Sequence, residues 1–320
     1  MKKWFLVGLL GLSLVTLLAA CAPKESSIKS SSSSASNSTT THLTLGTMPA
    51  PDSLPLYVAQ EKGYFKDAGL DVDLKNFKSP KDRDTAIAGG QLDGAVTDII
   101  AFTTYVNGQL GWKIGSGLTG YFGILTGDDS VKSVADLAGK KVALLPRQTP
   151  QFYLNTELAK ANLTEKSVSI SEVPQIPVRL QLVENKQVSA TVVPDPFLSM
   201  GKAAGLRVLA QSNPKNYQTT IMAFDRKISK NADVRKRFYT AYNRAVKTIN
   251  AHKASNYQSI LTKQLGYPTA IAKSAKLPTY TKAKRVPNQM LGEAFNYAYQ
   301  HQILKQEMDS ESYQLKIQAD

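Results

Sequence analysis

Residues 43–98 constrain the fold of this chain more than any other stretch. Residues 43–48 alternate apolar side chains with a period of two, the pattern of a half-buried strand. The loop Pro49-Ala50-Pro51-Asp52-Ser53 then leads into a helix, with Asp52 or Ser53 placed as N-cap and Pro55 in the first turn. Gly63 is positioned to close that helix in the left-handed region, which only glycine enters without steric cost. A turn follows at Asp67-Ala68-Gly69, and Val72, Leu74 and Phe77 alternate as a second strand. Strand, short helix and strand in so few residues make a βαβ unit, whose crossover is right-handed.

The alternation continues. Ser79-Pro80 opens a helix that runs to Gly90. Residues 94–96 form a short buried strand with Thr97 and Asp98 at its carboxyl end, and residues 99–107 a helix closed near Gly108. Residues 112–118 read as a strand, and residues 120–127 continue extended as a first crossing into a second half. There, strands are expected at 142–144, 168–173, 188–193 and 206–209, with helices starting near Thr149 and spanning 177–185. Residues 219–224 bring the chain back. Helices at 232–252 and around 291–299 place Val234, Phe238, Ala241, Ala245 and Ile249, then Leu291, Ala294, Phe295, Ala298 and Tyr299, on core-facing stripes. A weak internal repeat sets Gly90-Gln91-Leu92-Asp93-Gly94 beside Lys186-Gln187-Val188-Ser189-Ala190. Lys186 there replaces a glycine, and Asn185 is the expected left-handed residue in its place.

The motifs Pro55-Leu56, Ala59, Gly63-Tyr64-Phe65, Gly69-Leu70 and Gly90-Gln91-Leu92-Asp93-Gly94-Ala95 carry a resemblance, as does Asp136-Leu137-Ala138-Gly139-Lys140-Lys141-Val142. On them the chain resembles the solute-binding lipoproteins of sulfonate, nitrate, taurine and thiamine-pyrimidine ABC importers. The resemblance implies an α/β fold of the two-lobed periplasmic-binding-protein type (type II), each lobe a mostly parallel sheet flanked by helices, joined by two crossovers. Residues 43–122 with 222–320 would form the first lobe and residues 123–221 the second. It further implies a monomeric receptor that takes a small molecule and hands it to an ABC permease with its ATPase. The motifs are specific for the superfamily, not for a ligand.

Met1-Lys2-Lys3, an uncharged stretch over residues 4–20 and then Cys21 fit a signal peptide of residues 1–20. Leu18-Ala19-Ala20-Cys21 fits lipoprotein processing, which would put a lipid on Cys21 and hold the protein at the outer face of the cytoplasmic membrane. Residues 21–42, rich in Ser and Thr, read as a flexible tether. Cys21 is the only cysteine, so neither an internal disulfide nor a thiolate metal site is expected, and no cofactor is implied. The formal charge of +14 raises the question of nucleic acid. No zinc-finger spacing, RNP-like strand or Arg-rich helix supports it, and a basic face near an anionic membrane or wall is the reading taken.

Catalysis is not expected. His42, His252 and His301 are the only histidines, none near a nucleophile or second metal ligand in sequence, and no G-x-S-x-G, P-loop, G-x-G-x-x-G or H-E-x-x-H motif is present. A surface-anchored enzyme of thiamine-pyrimidine metabolism is the rival of another class; it lacks the metal-binding cysteine cluster of the related fungal enzymes. Ligands of open parallel sheets settle beyond the carboxyl ends of the strands. That rule selects Asp52, Ser53, Ser79, Thr97 and Asp98 from the first lobe and Arg147, Gln148, Thr149 and Asp195 from the second, with Tyr57 and Tyr121 able to stack or donate a hydroxyl. Helix capping alone would account for Asp52 and Asp98, and turn formation for Asp195. Helix N-termini and Arg147 would suit a sulfonate or nitrate. Carboxylates Asp98 and Asp195 would suit a ligand with N–H donors, such as a thiamine pyrimidine precursor or related nitrogenous heterocycle.

Overall fold

The computed structural model describes residues 40–213 and 217–317; the expected signal peptide, Cys21 and most of the tether lie outside them. The first sheet contains β1 (Thr41–Thr47), β2 (Leu70–Asn76), β3 (Gly94–Asp98), β4 (Lys113–Gly117) and the late-arriving β10 (Thr220–Phe224). Their spatial order is β2-β1-β3-β10-β4. β1 is parallel to β2 and β3, and β10 runs antiparallel between β3 and β4. Connecting them are α1 (Leu54–Glu61), α2 (Tyr64–Asp67), α3 (Pro80–Ala88) and α4 (Ile99–Asn107). Thr41 and His42 belong to β1 and not to the tether: Thr41 N–H bonds the Gly69 carbonyl, and His42 meets Asp71.

The second sheet contains β5 (Phe122–Thr126), β6 (Lys141–Leu144), β7 (Ser169–Glu172), β8 (Ala190–Pro194) and β9 (Arg207–Gln211), in the order β7-β6-β8-β5-β9. Helices α5 (Thr149–Lys160), α6 (Ile176–Glu184) and α7 (Phe197–Ala203) connect them. The two sheets share one topology. In each, a parallel trio is followed by one reversed strand, and that strand is the one through which the chain crosses from the other half: β5 going, β10 returning. After β10 come α8 (Arg226–Lys230), α9 (Ala232–Asn250), α10 (Gln258–Lys263), α11 (Thr269–Ser274) and α12 (Asn288–Gln300).

Packing explains the helix stripes. Val234, Phe238, Ala241, Ala245 and Ile249 of α9 are buried with Leu54, Leu56 and Phe65 in one core. Leu291, Ala294, Phe295 and Ala298 of α12 are buried with Phe102 and Trp112 in another. Tyr299, expected on that stripe, is 43 % exposed; the buried tyrosine is Tyr297, on a second face of α12 that meets Phe152 of α5 at 4.9 Å between ring centroids. The internal repeat is real in backbone terms. Gly90 has φ +66° and its counterpart Lys186 φ +56°, whereas Asn185 is at φ −85°. Lysine itself takes the left-handed position, correcting the expectation for Asn185.

Gly94, at the head of β3, has no room for a side chain. A Cβ there would come within 2.8 Å of Met222 Cε and of Phe224 Cδ1 on the neighbouring β10. Gly94→Val should therefore lower stability by about 1–3 kcal/mol, as overpacking of a buried site does, measured by urea unfolding. An unchanged midpoint would mean that β10 is free to shift.

Candidate functional site

The carboxyl ends of β1 and β3 and the crossing strands open onto a small cavity between the two sheets. The first half lines it with residues 48–52, Pro80, Arg83, Val96, Thr97, Asp98 and Thr220; the crossing contributes Gly120, Tyr121 and Phe122, and the second half Gln148, Pro150, Ile176, Arg179 and Pro194. Among the expected site residues, Asp52, Thr97, Asp98, Tyr121 and Gln148 are therefore brought together on one wall or another of a single space.

Asp52 is not a helix cap. The chain enters α1 through a tight turn at Pro51–Ser53, which puts Ala50 before the turn and gives neither Asp52 nor Ser53 a capping hydrogen bond. Ser53 Oγ instead accepts from Met48 N–H at 3.3 Å and donates to Asp52 Oδ1 at 3.3 Å. Only 4 % exposed, the Asp52 carboxyl is pushed up to about 7 by burial, against the pull of the Ser53 hydroxyl and of Arg83.

Asp98 does cap a helix, and more. Its Oδ1 accepts from Ala101 N–H at the start of α4, and also from Thr149 N–H and Thr149 Oγ1 at the start of α5, each at 2.9 Å. One oxygen thus serves helix N-termini from both halves. Oδ2 has no hydrogen-bond partner among the described residues. Burial raises the proton affinity of this carboxyl, although Arg83, Ala101 and Thr149 oppose it.

Two arginines complete the site. Neither stands out in sequence: Arg83 lies in the charged run Lys81-Asp82-Arg83-Asp84, and Arg179 is a lone cation on a helix. Arg83 is held by Asp84 (Nε to Oδ1 2.9 Å, Nη2 to Oδ1 2.8 Å) and donates from Nη2 to Gln148 Oε1 at 3.3 Å, while Gln148 Nε2 donates to Asp84 Oδ2 at 3.0 Å. Burial works against its charge, but Asp84, Tyr105 and Asp98 outweigh that and hold it firmly protonated. Arg179 is different. It is 1 % exposed, donates only to the backbone carbonyls of Val173 (2.7 Å) and Pro174 (3.1 Å), and has no acidic partner among the described residues. Burial alone lowers it to about 10, and its Nη1 has no acceptor among the described residues.

The other expected residues sit around this cavity without lining it. Tyr57 hydroxyl pairs with Thr47 Oγ1 at 2.6 Å; Ser79 caps α3 by accepting from Lys81 N–H at 3.1 Å; Ser53 and Thr149 are occupied as described. Asp195 accepts from Ser199 N–H and Oγ, both at 2.9 Å, and from the Tyr121 hydroxyl. Arg147, in the left-handed region at φ +60°, is exposed and lines a separate crevice with Glu165 and His301. Among the described residues no cluster of three His, Cys, Asp or Glu is arranged to hold a metal ion.

Residues 50–255 match the sequence profile of the family described as NMT1/THI5 like. The chain belongs to that family. Its fold is shared with solved structures at low identity. The alkanesulfonate-binding protein SsuA from Xanthomonas axonopodis pv. citri, bound to MOPS, superposes with TM-score 0.73 at 15 % identity, over 86 % of this chain and 98 % of that one. The aliphatic sulphonate binding protein SsuA from Escherichia coli gives 0.71 at 18 %, over 86 % and 97 %. The nitrate-binding protein NrtA from Synechocystis gives 0.68 at 18 %, over 85 % and 84 %. A curated relative, the nitrate import ATP-binding protein NrtC of Synechococcus elongatus, is 37 % identical over 78 residues. That match covers 23 % of this chain and 12 % of NrtC. The NMT1/THI5-like assignment and these superpositions agree with the topology: two sheets of one pattern with a lined space between them.

Proposed function

We propose that this NMT1/THI5-like protein is an extracytoplasmic solute receptor, lipid-anchored through Cys21, that binds a small molecule without altering it and delivers it as a monomer to an ABC permease with its ATPase. Residues 43–122 with 222–320 would move against residues 123–221 about the two crossings, closing on the ligand. The binding residues would be Asp52, Thr97, Asp98, Tyr121 and Gln148, joined by Arg83 and Arg179. The names of the relatives support binding to an importer: sulfonate- and nitrate-binding proteins by fold, and an import ATPase by partial sequence match.

One observation carries the choice of ligand. Two buried carboxyls, Asp52 and Asp98, share a cavity with one buried guanidinium, Arg179, that lacks an acidic partner among the described residues. A ligand that closes over these groups takes them out of water, so one that brings N–H donors for the carboxyls and an acceptor for the guanidinium suits them. A nitrogenous heterocycle such as an aminopyrimidine precursor of thiamine does so. Arg179 by itself favours a second reading, an alkanesulfonate or nitrate, because a guanidinium binds such oxyanions well.

Calorimetric titration with an aminopyrimidine, an alkanesulfonate and nitrate tests both. A ligand should also raise the unfolding midpoint in proportion to the logarithm of its concentration. Arg179→Gln should weaken binding by roughly tenfold or more, the loss of one charge-assisted hydrogen bond. If none of the three classes binds and no small molecule co-purifies on mass spectrometry, the receptor reading fails.

A further inference from the structure

The charge of this chain is concentrated. Residues 234–292 hold twelve of its 39 Lys and Arg and none of its 25 Asp and Glu, so this stretch supplies nearly all of the +14 excess. It is a surface feature: Lys247, Lys253, Lys273, Lys276, Lys282 and Lys284 are exposed and have no ion-pair partner among the described residues.

These cations belong to one end of the first half. Asn250 of α9 exchanges hydrogen bonds with the Tyr280 backbone (2.8 and 3.0 Å), and Asn243 accepts from Ala283 N–H at 2.8 Å. Those contacts lay residues 280–284 along α9, with Lys247 lying between the two asparagines in sequence and Lys282 and Lys284 flanking Ala283. α10 and α11 pack on each other, and α10 also packs on α1. The chain enters the folded body at the opposite end of the first sheet: Arg237, near the start of α9, donates to the Gly69 carbonyl at 2.8 Å and to Thr41 Oγ1 at 3.0 Å, whereas Lys284 pairs with Gly117 at the carboxyl end of β4.

We propose that the lysine-rich surface built from residues 247–284 docks on an anionic phospholipid membrane; Arg237 and Arg244, which pair with Asp233 and Asp67, are not part of it. The inference rests on the lipid-anchor reading above. Residues 21–40 would span roughly 65 Å if fully extended, so the tether alone leaves the orientation of the body open. That reach is enough for a basic face at the other end of the first half to meet the bilayer and set the orientation, since each Lys or Arg near an anionic bilayer adds attraction that falls off within about 10 Å.

Both sheets and every buried cluster lie within residues 41–317, so the body of residues 39–320 contains its whole core and can be tested without Cys21. It should co-sediment with phosphatidylcholine vesicles containing phosphatidylglycerol, not with phosphatidylcholine alone, and salt should release it. The fourfold variant K247E/K273E/K276E/K282E should bind at least about tenfold more weakly. A control with the same change in net charge on the other half, K132E/K141E/K166E/K202E, should keep most of the binding. Circular dichroism and the unfolding midpoint verify that both variants are folded. Equal losses in the two variants, or retention by soluble polyphosphate with no binding to the anionic vesicles, would overturn the proposal. The anchor is judged separately, by whether Cys21→Ser releases the full chain from membranes.

Discussion

Asp52→Asn should make the ligand-free protein more stable, by an amount set by pH. The carboxyl stands at about 7 in the folded protein and near the model-peptide value of 3.8 when unfolded. A raised folded-state value means that the folded protein binds a proton more tightly than the unfolded chain does. The stability this confers is complete below about pH 4 and is lost as pH climbs through about 7. Roughly three pH units at 1.36 kcal/mol each amount to about 4 kcal/mol. Asparagine is near in shape and never ionises. Its advantage over the wild type should be small at pH 4, grow steadily, and level off near about 4 kcal/mol at pH 8. Denaturant unfolding at a series of pH values measures it. A constant difference across that range would show that Asp52 is solvated in the folded protein, and the electrostatic account of the cavity would be lost.

The same carboxyl separates the two ligand readings. A ligand that offers N–H donors or a positive charge binds the ionised form of Asp52, so its affinity should rise with pH until about 7. A sulfonate or nitrate is repelled by that ionised form, so its affinity should fall over the same range. The sign of the slope decides, without knowledge of the bound pose.

Much of the scaffold was legible because local patterns and tertiary structure agree. The strand–helix–strand opening, Gly63 at φ +72°, the helix at Ile99–Asn107 and the core stripe of α9 follow from period, caps and glycine placement, and each reappears in the fold. The strand-end rule reached four residues that line the cavity, Asp52, Thr97, Asp98 and Gln148, and Tyr121 was added for its ring and hydroxyl. What escaped was set by contacts distant in sequence. Arg83 looks like one member of a solvated charge run; only folding brings Gln148 and Tyr105 to Asp84 beside it. Arg179 carries no motif, and its isolation from acidic groups is a property of three dimensions. Arg147 failed to reach the cavity for the converse reason. A left-handed backbone at that residue directs the chain so that Gln148, its neighbour, takes the inward place. Lys186 shows that a topological demand for positive φ can be met by a residue whose propensity argues against it.

Asp98 is one of the ties between the two halves, beside the bonds of Gln148 to Arg83 and Asp84, and its chemistry predicts an asymmetry between two substitutions. All three donors, from Ala101 and Thr149, converge on Oδ1. Oδ2 is free to carry the proton that burial favours, and the three bonds persist whether or not it does. Asp98→Asn keeps an acceptor oxygen for those donors and should cost less than about 1 kcal/mol. Asp98→Ala removes the N-cap of α4 and leaves the Thr149 amide and hydroxyl without their acceptor, for a loss of about 3 kcal/mol. Thr149→Val keeps the amide bond and drops only the hydroxyl, so about 1 kcal/mol is expected, and adding it to Asp98→Ala should cost less than the two alone. Because Asp98 and Thr149 belong to different halves, Asp98→Ala should also widen the ligand-free molecule in solution scattering, with Asp98→Asn unchanged. Equal effects of Asn and Ala would mean that the carboxylate charge holds the halves together, not the shared oxygen.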